Sequence, residues 1–300
     1  MTGVSDLDAV VLRPLAAADL EPLRAIYNRQ VAPGPGWTAA AVASMWTQSA
    51  HGDRTRVAVD GDRVAGGVGT VVAPPWLYIF PLVADGAAAA DALLAQALGE
   101  VVAGVTTIRI GVRVGEEIKR AAVLARGFVR SIDFVELRHE LAPTPPGRPS
   151  DAALRRLGHG ELDREATRAL HNLTFAEIAN TAPLDVRDFA ALLDDATAWP
   201  GATAAWAGAD GAVAGFVIGQ RDHDDRGDFG VVEAIGVAPA WRGRGVARTM
   251  IDDLLGRARA AGLVEVRSVV AGTNPGSLAL HRAAGFTVAG QKQMYDLSAV

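Results

Sequence analysis

The 300-residue chain contains no cysteine. Disulfides are therefore excluded, and no thiol is present to carry an acyl group as a covalent intermediate. Long apolar runs are missing too. No segment approaches the roughly 18 uninterrupted apolar residues of a membrane-spanning helix. Met1 to Asp8 holds two aspartates and no apolar stretch, so no secretory signal is expected. Basic charge is in deficit, with a net charge of −5 and a pI near 5.7. That balance argues against nucleic acid as a partner, because binding it requires a basic face to neutralise phosphates. These absences point to a soluble, cytoplasmic protein.

Two phosphate-binding signatures are also missing. The sequence has no Gly-x-x-x-x-Gly-Lys-Ser/Thr run, which argues against a nucleotide triphosphatase loop. Nor does it have a Gly-x-Gly-x-x-Gly turn with an acidic residue about 20 positions on, as a dinucleotide fold would require. No His/Asp/Glu cluster calls for a metal. The turn Asp222-His223-Asp224-Asp225-Arg226-Gly227-Asp228 has the residue types, but its place between two strands reads as a solvated hairpin turn.

What the chain does have is apolar bulk and one distinctive turn. Half of its residues are apolar, enough for two cores, and its length suits two domains. An apolar strand from Val231 to Val237 leads into Arg242-Gly243-Arg244-Gly245. A helix then opens with Val246, Met250, Leu254 and Ala258 at four-residue spacing. Strand, glycine-rich turn and helix N-terminus together make an anion cradle. Glycines admit close backbone approach, and consecutive N–H groups and the helix dipole favour negative charge. The expected guest is a phosphate or pyrophosphate.

The pattern Arg242-x-x-Gly245-x-Ala247 resembles the pyrophosphate loop of the GNAT N-acyltransferase superfamily, Gln/Arg-x-x-Gly-x-Gly/Ala. Asn274-Pro-Gly-Ser277-Leu-Ala-Leu280-His281-Arg-Ala-Ala-Gly285-Phe286 resembles the later motif of the same family, in the right order and at a suitable separation. Helix capping alone accounts for Asn274, Pro275, Gly285 and Phe286. It does not account for their occurrence together with the arginine loop.

The resemblance covers roughly the last 130 residues and implies a mixed α/β sheet fold. It also implies acetyl-CoA as co-substrate, no metal, and an acyltransferase acting on a small-molecule amine. The binding residues it implies are Ile235, Gly236 and Val237 on the strand, with Gly236 as a bulge residue. They continue with Arg242, Gly243, Arg244, Gly245, Val246, Ala247 and Arg248 in the turn and helix, and end with Asn274 on the pantetheine arm.

Internal similarity extends the reading to the whole chain. Asp60-Gly61 and Asp210-Gly211 each join two strand-like runs, a hairpin signal because the turn favours positive φ. Ala125-Arg-Gly127-Phe128 matches Ala283-Ala-Gly285-Phe286. The expected organisation is two tandem GNAT-like domains, residues 1–142 and 151–300, joined by a proline-rich linker at 143–150. Tandem arrangement and length also resemble the mycothiol synthase branch of the family. The first copy is degenerate. Its cradle position reads Ala84-Asp85-Gly86, without arginines or spaced glycines, and Asp85 and Asp91 would oppose a pyrophosphate. A scaffold role is expected for it, although Arg13, Tyr27, Trp37 and Trp46 are candidates to line an acceptor cleft.

Acyl transfer to an amine needs a polarised carbonyl, a base for the ammonium and a proton for the departing thiolate. The resemblance assigns the first task to backbone N–H groups near Ile235. Glu233 suits the second, since a carboxylate in an apolar strand is costly without a purpose. A structural salt bridge is the alternative account of it. The family has tyrosine where this chain has His281, which makes His281 the candidate acid, a bonding partner of the sulfur, or a packing residue. Tyr295 is a weaker candidate. The acceptor would be chosen by residues 171–185, where Glu177 and Asp185 suit a cationic amine or are surface charges. A non-catalytic acyl-CoA-binding module is the alternative of a different class.

Overall fold

The computed structural model describes residues 10–31, 38–47, 51, 53–141, 154–176, 178, 183–224 and 226–299. The first half runs β1 (Val11–Pro14), α1 (Leu20–Val31), α2 (Ala39–Trp46), β2 (Arg56–Asp60), β3 (Arg63–Ala73), β4 (Trp76–Ala84), α3 (Ala87–Leu98), β5 (Thr107–Arg113), α4 (Glu117–Ala125) and β6 (Val129–Glu140). The second half repeats that order. It runs β7 (Arg155–Gly158), α5 (Arg164–Phe175), α6 (Val186–Asp194), β8 (Ala204–Ala207), β9 (Val213–Asp224), β10 (Gly227–Val237), α7 (Val246–Ala260), β11 (Glu265–Ala271), α8 (Pro275–Ala283) and β12 (Thr287–Ser298). The linker stretch 143–150 lies outside the described residues, as do Trp37, Glu177 and Asp225.

The chain forms two units, Met1–Asp133 with Gly290–Val300, and Phe134–Ala289. The sheet of the first unit has the order β1-β2-β3-β4-β5-β12. Its last strand comes from the far end of the sequence, with Tyr295 opposite Ile110 in an antiparallel pair. The sheet of the second unit has the order β6-β11-β10-β9-β8-β7, and there Leu137 of β6 stands opposite Ser268. Each sheet is thus completed by a strand from the other half of the sequence.

The turns follow from their glycines. Gly61 and Gly211 take positive φ between their strands. Gly127 and Gly285 do the same after α4 and α8, and the next residue folds back: Phe128 N–H reaches the Val123 carbonyl at 3.3 Å and Phe286 N–H reaches the His281 carbonyl at 3.0 Å. Both phenylalanines are buried, so one helix stop serves both units.

In the second unit, alternation along the strands separates two cores. Val217 and Val232 pack with Met250, Leu254 and Ala258 of α7. Phe216 and Ala234 pack with Leu170, Phe189 and Leu193 of α5 and α6. The four-residue spacing of α7 is its buried stripe, with Met250, Leu254 and Ala258 fully enclosed. Truncating Leu254 to alanine there costs about 2–5 kcal/mol. The first unit builds the matching core from Leu77, Ile79, Leu93, Leu94 and Ile110.

Candidate active site

β10 is where the second unit opens. It pairs with parallel β11 only from Phe229 to Val232, yet stays paired with antiparallel β9 to its end, Val237 opposite Gly215. Beyond Val232 the two parallel strands part. The β-bulge falls at the same point, because Val232 faces Gly219 and Ala234 faces Ile218, leaving Glu233 as the extra residue. This corrects the expectation for Gly236, which is regularly paired with Phe216. Glycine stands there for another reason. A Cβ would lie 2.5 Å from the Phe216 ring and 2.7 Å from Thr174 Oγ1, so only glycine lets α5 approach the strand. The bulge also shifts the alternation by one, so counting faces in twos from Ile235 does not carry through Glu233.

Water reaches more than a third of Glu233, while protein packs densely about its other sides. Its pKa is pushed up, mainly by lost solvation and further by the Asp195 carboxylate at the end of α6. Asp195 accepts hydrogen bonds from Thr197 N and Oγ1, both at 2.7 Å, which fix it in place. Sequence reasoning missed Asp195, since nothing in the chain signals that the end of α6 meets the bulge.

The cradle follows β10 directly. Gly243 and Gly245 have φ of +75° and +81°, and no heavy atom stands within 4 Å of the Cβ that either lacks. The left-handed turn is therefore both glycine-requiring and open. Gly245 is the N-cap of α7, which has no side-chain cap and no acidic residue in its first turn. An N-terminus with this composition suits an anion. Val246 is buried beneath it and Ala247 half-buried, while Arg242, Arg244 and Arg248 are exposed. Arg242 Nε donates to the Val237 carbonyl at 3.3 Å, and Arg244 lies 5.2 Å over the Trp241 ring. Arg248 is held by Asp252 at 2.9 Å and by the Ala283 carbonyl at 2.7 Å, so it also ties α7 to the end of α8.

On α8, Asn274 is the N-cap, its Oδ1 accepting from Ser277 N at 2.9 Å. The cap leaves its two Nδ2 donors for other partners. His281 is buried, and desolvation holds its pKa below the ordinary histidine value. Its Nδ1 lies 2.8 Å from the Ser277 carbonyl, which sets Nδ1 as the protonated nitrogen, and Nε2 is enclosed without a partner. A neutral ring in this tautomer presents a lone pair at Nε2, not a proton. The ring packs edge-on against Phe286 at 5.0 Å. The expected acid role of His281 is therefore not what the geometry offers.

The other candidates are dispersed. Tyr295 belongs to the first unit, buried in its core. Asp185 caps α6 through Asp188 N at 2.8 Å. In the acidic hairpin turn, Asp224 is engaged by Arg267. Tyr27 and Trp46 are core residues of the first unit, and Arg13 is bound to Asp19 at 2.6 Å. His171 on α5, at the start of the stretch expected to choose the acceptor, is buried and stacked on Phe175 at 4.4 Å, with its pKa lowered by desolvation. In the first unit Asp85 pairs with Arg29 at 3.0 Å and with Arg63 at 2.5 Å, and Asp91 pairs with Arg126 at 2.7 Å. Those charges are locally balanced, so repulsion is a smaller part of the difference between the cradles than loop shape.

Residues 164–286 match the model of the acetyltransferase (GNAT) family. No curated protein matches the sequence. Among solved structures, a GCN5-related N-acetyltransferase from Sphaerobacter thermophilus aligns with a TM-score of 0.80 at 19% identity, covering 97% of this chain and 96% of that one. A tandem GNAT protein from the clavulanic acid biosynthesis pathway aligns with a TM-score of 0.67 at 18% identity, covering 97% and 99%. The N-myristoyltransferase of Saccharomyces cerevisiae, solved with bound myristoyl-CoA, gives 0.57 at 10% identity, covering 97% and 79%. Among the described residues, no helix is long and apolar enough to cross a membrane. Residues 164–286 belong to the acetyltransferase (GNAT) family, and they lie in a chain of two tandem GNAT-like units of which the first lacks the arginine–glycine loop.

Proposed function

We propose that the second unit transfers an acetyl group from acetyl-CoA to a primary amine of a small molecule, by direct attack. The observation that carries this is the coincidence at β10. The bulge at Glu233, the parting from β11 and the open left-handed turn before α7 occur within one short stretch.

In this reading the turn and the first amides of α7, with Arg242 and Arg244, hold the pyrophosphate. Arg248 adds charge while bracing α8, and Asn274 Nδ2 donates to the pantetheine arm. Backbone N–H groups along Ile235, Gly236 and Val237, where the β11 side is open, polarise the thioester carbonyl. The amine attacks the carbonyl carbon, and its proton passes to Glu233 directly or through water. The tetrahedral intermediate then expels the thiolate as the C–S bond breaks. A raised carboxyl pKa makes Glu233 a better match for this transfer than an ordinary carboxylate. The proton it gains balances the one the thiolate takes up, from Glu233 or from water. Asp195 adds negative charge that favours a cationic acceptor. The absence of cysteine fits direct attack.

The neutral His281 favours one other reading, a module that binds acyl-CoA without turning it over. Thiol release from acetyl-CoA across a panel of small amines separates the two. Amine-dependent release that falls away in Glu233→Gln supports catalysis. Saturable acetyl-CoA binding with no release across the panel supports the binding module.

A further inference from the structure

The first unit has a cavity of about 440 Å³ at the end of the β1–β2 pair, where Pro14 stands opposite Arg56. Small-molecule sites usually span roughly 300–1,000 Å³, so the space suits one compact guest. Its apolar wall is Pro14, Leu15 and Trp46, and its polar wall includes Asp53, Thr55 and Arg56. All of these residues belong to the first unit.

The polar wall holds unused bonding capacity of both signs. Arg56 Nη1 donates to the carbonyls of Asp53 and Thr55, which fixes the guanidinium and leaves Nε and Nη2 for another acceptor. Among the described residues, the Asp53 carboxylate has no hydrogen-bond or ion-pair partner, so the two opposite charges line one cavity without pairing with each other. Elsewhere in the unit such charges are matched, as Arg13 is with Asp19 and Arg63 with Asp85. Thr55 is only 8% exposed, yet among the described residues its hydroxyl also has no partner. Trp46 is 1% exposed, and its Nε1 is enclosed without a partner. The six-membered edge of that ring is committed to β3, since a Cβ on Gly67 would come within 2.8 Å of Cη2. Core packing accounts for that edge of the ring. It does not account for a buried hydroxyl and a buried indole N–H left unbonded beside two unpaired charges.

We propose that this cavity binds an α-amino acid with an apolar side chain, its carboxylate at Arg56, its ammonium at Asp53 and its side chain against Trp46, Leu15 and Pro14. A guest with both charges meets both walls, whereas a guest of one sign leaves the opposite charge unmatched. The Thr55 hydroxyl can accept from the ammonium or donate to the carboxylate. Such a site stands apart from the acetyl transfer proposed for the second unit, and its occupancy needs no acetyl-CoA.

The probe is L-phenylalanine, titrated by calorimetry into the full chain without acetyl-CoA, and one saturable site is expected. Phenethylamine lacks its carboxylate and 3-phenylpropionate lacks its ammonium. Each should bind about 10-fold weaker or more, since a charge-assisted hydrogen bond is lost. Asp53→Asn and Arg56→Gln should each weaken L-phenylalanine by about 10-fold or more for the same reason, with acetyl-CoA affinity at the wild-type value. Glu233→Gln should leave L-phenylalanine affinity unchanged, which separates this site from the amine site of the second unit. A measurement on the unaltered protein stands beside these. L-phenylalanine should slow amide hydrogen exchange in the peptide covering residues 53–56, and phenethylamine at the same concentration should not. No binding of L-phenylalanine, equal binding of either single-charge analogue, unchanged affinity in the folded Asp53 and Arg56 variants, a loss in Glu233→Gln or unslowed exchange would each overturn the proposal.

Discussion

The two units answer the same architectural question differently at the same place. In each, a strand bulges and parts from its parallel neighbour, and a helix follows. In the second unit the bulge residue is Glu233, and residues 238–245 form an arginine- and glycine-bearing passage into α7. In the first, Phe80 and Pro81 fall in the bulge opposite Gly69, and only Asp85 and Gly86 separate β4 from α3. Proline has no N–H to offer a carbonyl, and phenylalanine takes no proton. Gly86 is extended at φ −162°, so no left-handed nest forms before α3. Both units nonetheless keep the same buried helix faces and the same glycine-phenylalanine stop. The scaffold depends on many apolar contacts, each replaceable by a similar side chain. The chemistry depends on a few positions, each of which is decisive.

That contrast predicts an asymmetric response to one substitution. Gly245→Glu is expected to lower turnover at sub-saturating acetyl-CoA by more than about 1,000-fold, because it places a carboxylate and a strained backbone in the cradle. Gly86→Glu, at the equivalent helix start, should leave the rate within about 2-fold, since that glycine is extended and has open space around it. Matched thiol-release assays check both, and equal losses would erase the distinction between the cradles.

Glu233→Gln comes next in size. Turnover should fall about 100- to 1,000-fold, with acetyl-CoA affinity unchanged, if Glu233 takes the amine proton. Stability should move the other way. A carboxyl whose folded pKa lies above its unfolded value stabilises the fold below the unfolded pKa. That contribution is lost as pH rises through the folded pKa. At pH 7 the glutamine variant should therefore melt at the same temperature or higher, as measured by calorimetry. A lower melting temperature would mean that Glu233 has a structural partner.

A smaller effect tests Asp195. Removing its charge with Asp195→Asn should shift the acid limb of the kcat/KM profile to lower pH, because one of the two causes that raise the Glu233 pKa is gone. An unmoved limb would show that Asp195 and Glu233 are not coupled. Smallest of all, His281→Gln should change turnover by less than about 3-fold. His281 has a depressed folded pKa, so its contribution to stability is present above the ordinary histidine range and lost as pH falls through it. The variant should lose less stability than the wild type between pH 7 and pH 5. A large drop in turnover would restore the acid role to His281.

Much of this was legible in the sequence where residue chemistry is local. Gly243 and Gly245 announce left-handed backbone, Asn274-Pro275 announces a helix start, and the spacing of α7 announces its buried face. What depends on long-range pairing was not legible. The bulge at Glu233 exists only against β9, so the chain alone pointed to Gly236. The strands that complete each sheet come from the far half of the sequence, a feature that a linker at 143–150 does not reveal. His281 looked like a substituted tyrosine in the motif, and its tautomer is set by the Ser277 carbonyl one helical turn away.

The most direct test of the account is calorimetric titration of acetyl-CoA into the full chain, wild type beside Gly245→Glu. One site per chain in the wild type, and none measurable in the folded variant, is the predicted result. Two sites per chain, or a site untouched by the substitution, would contradict it.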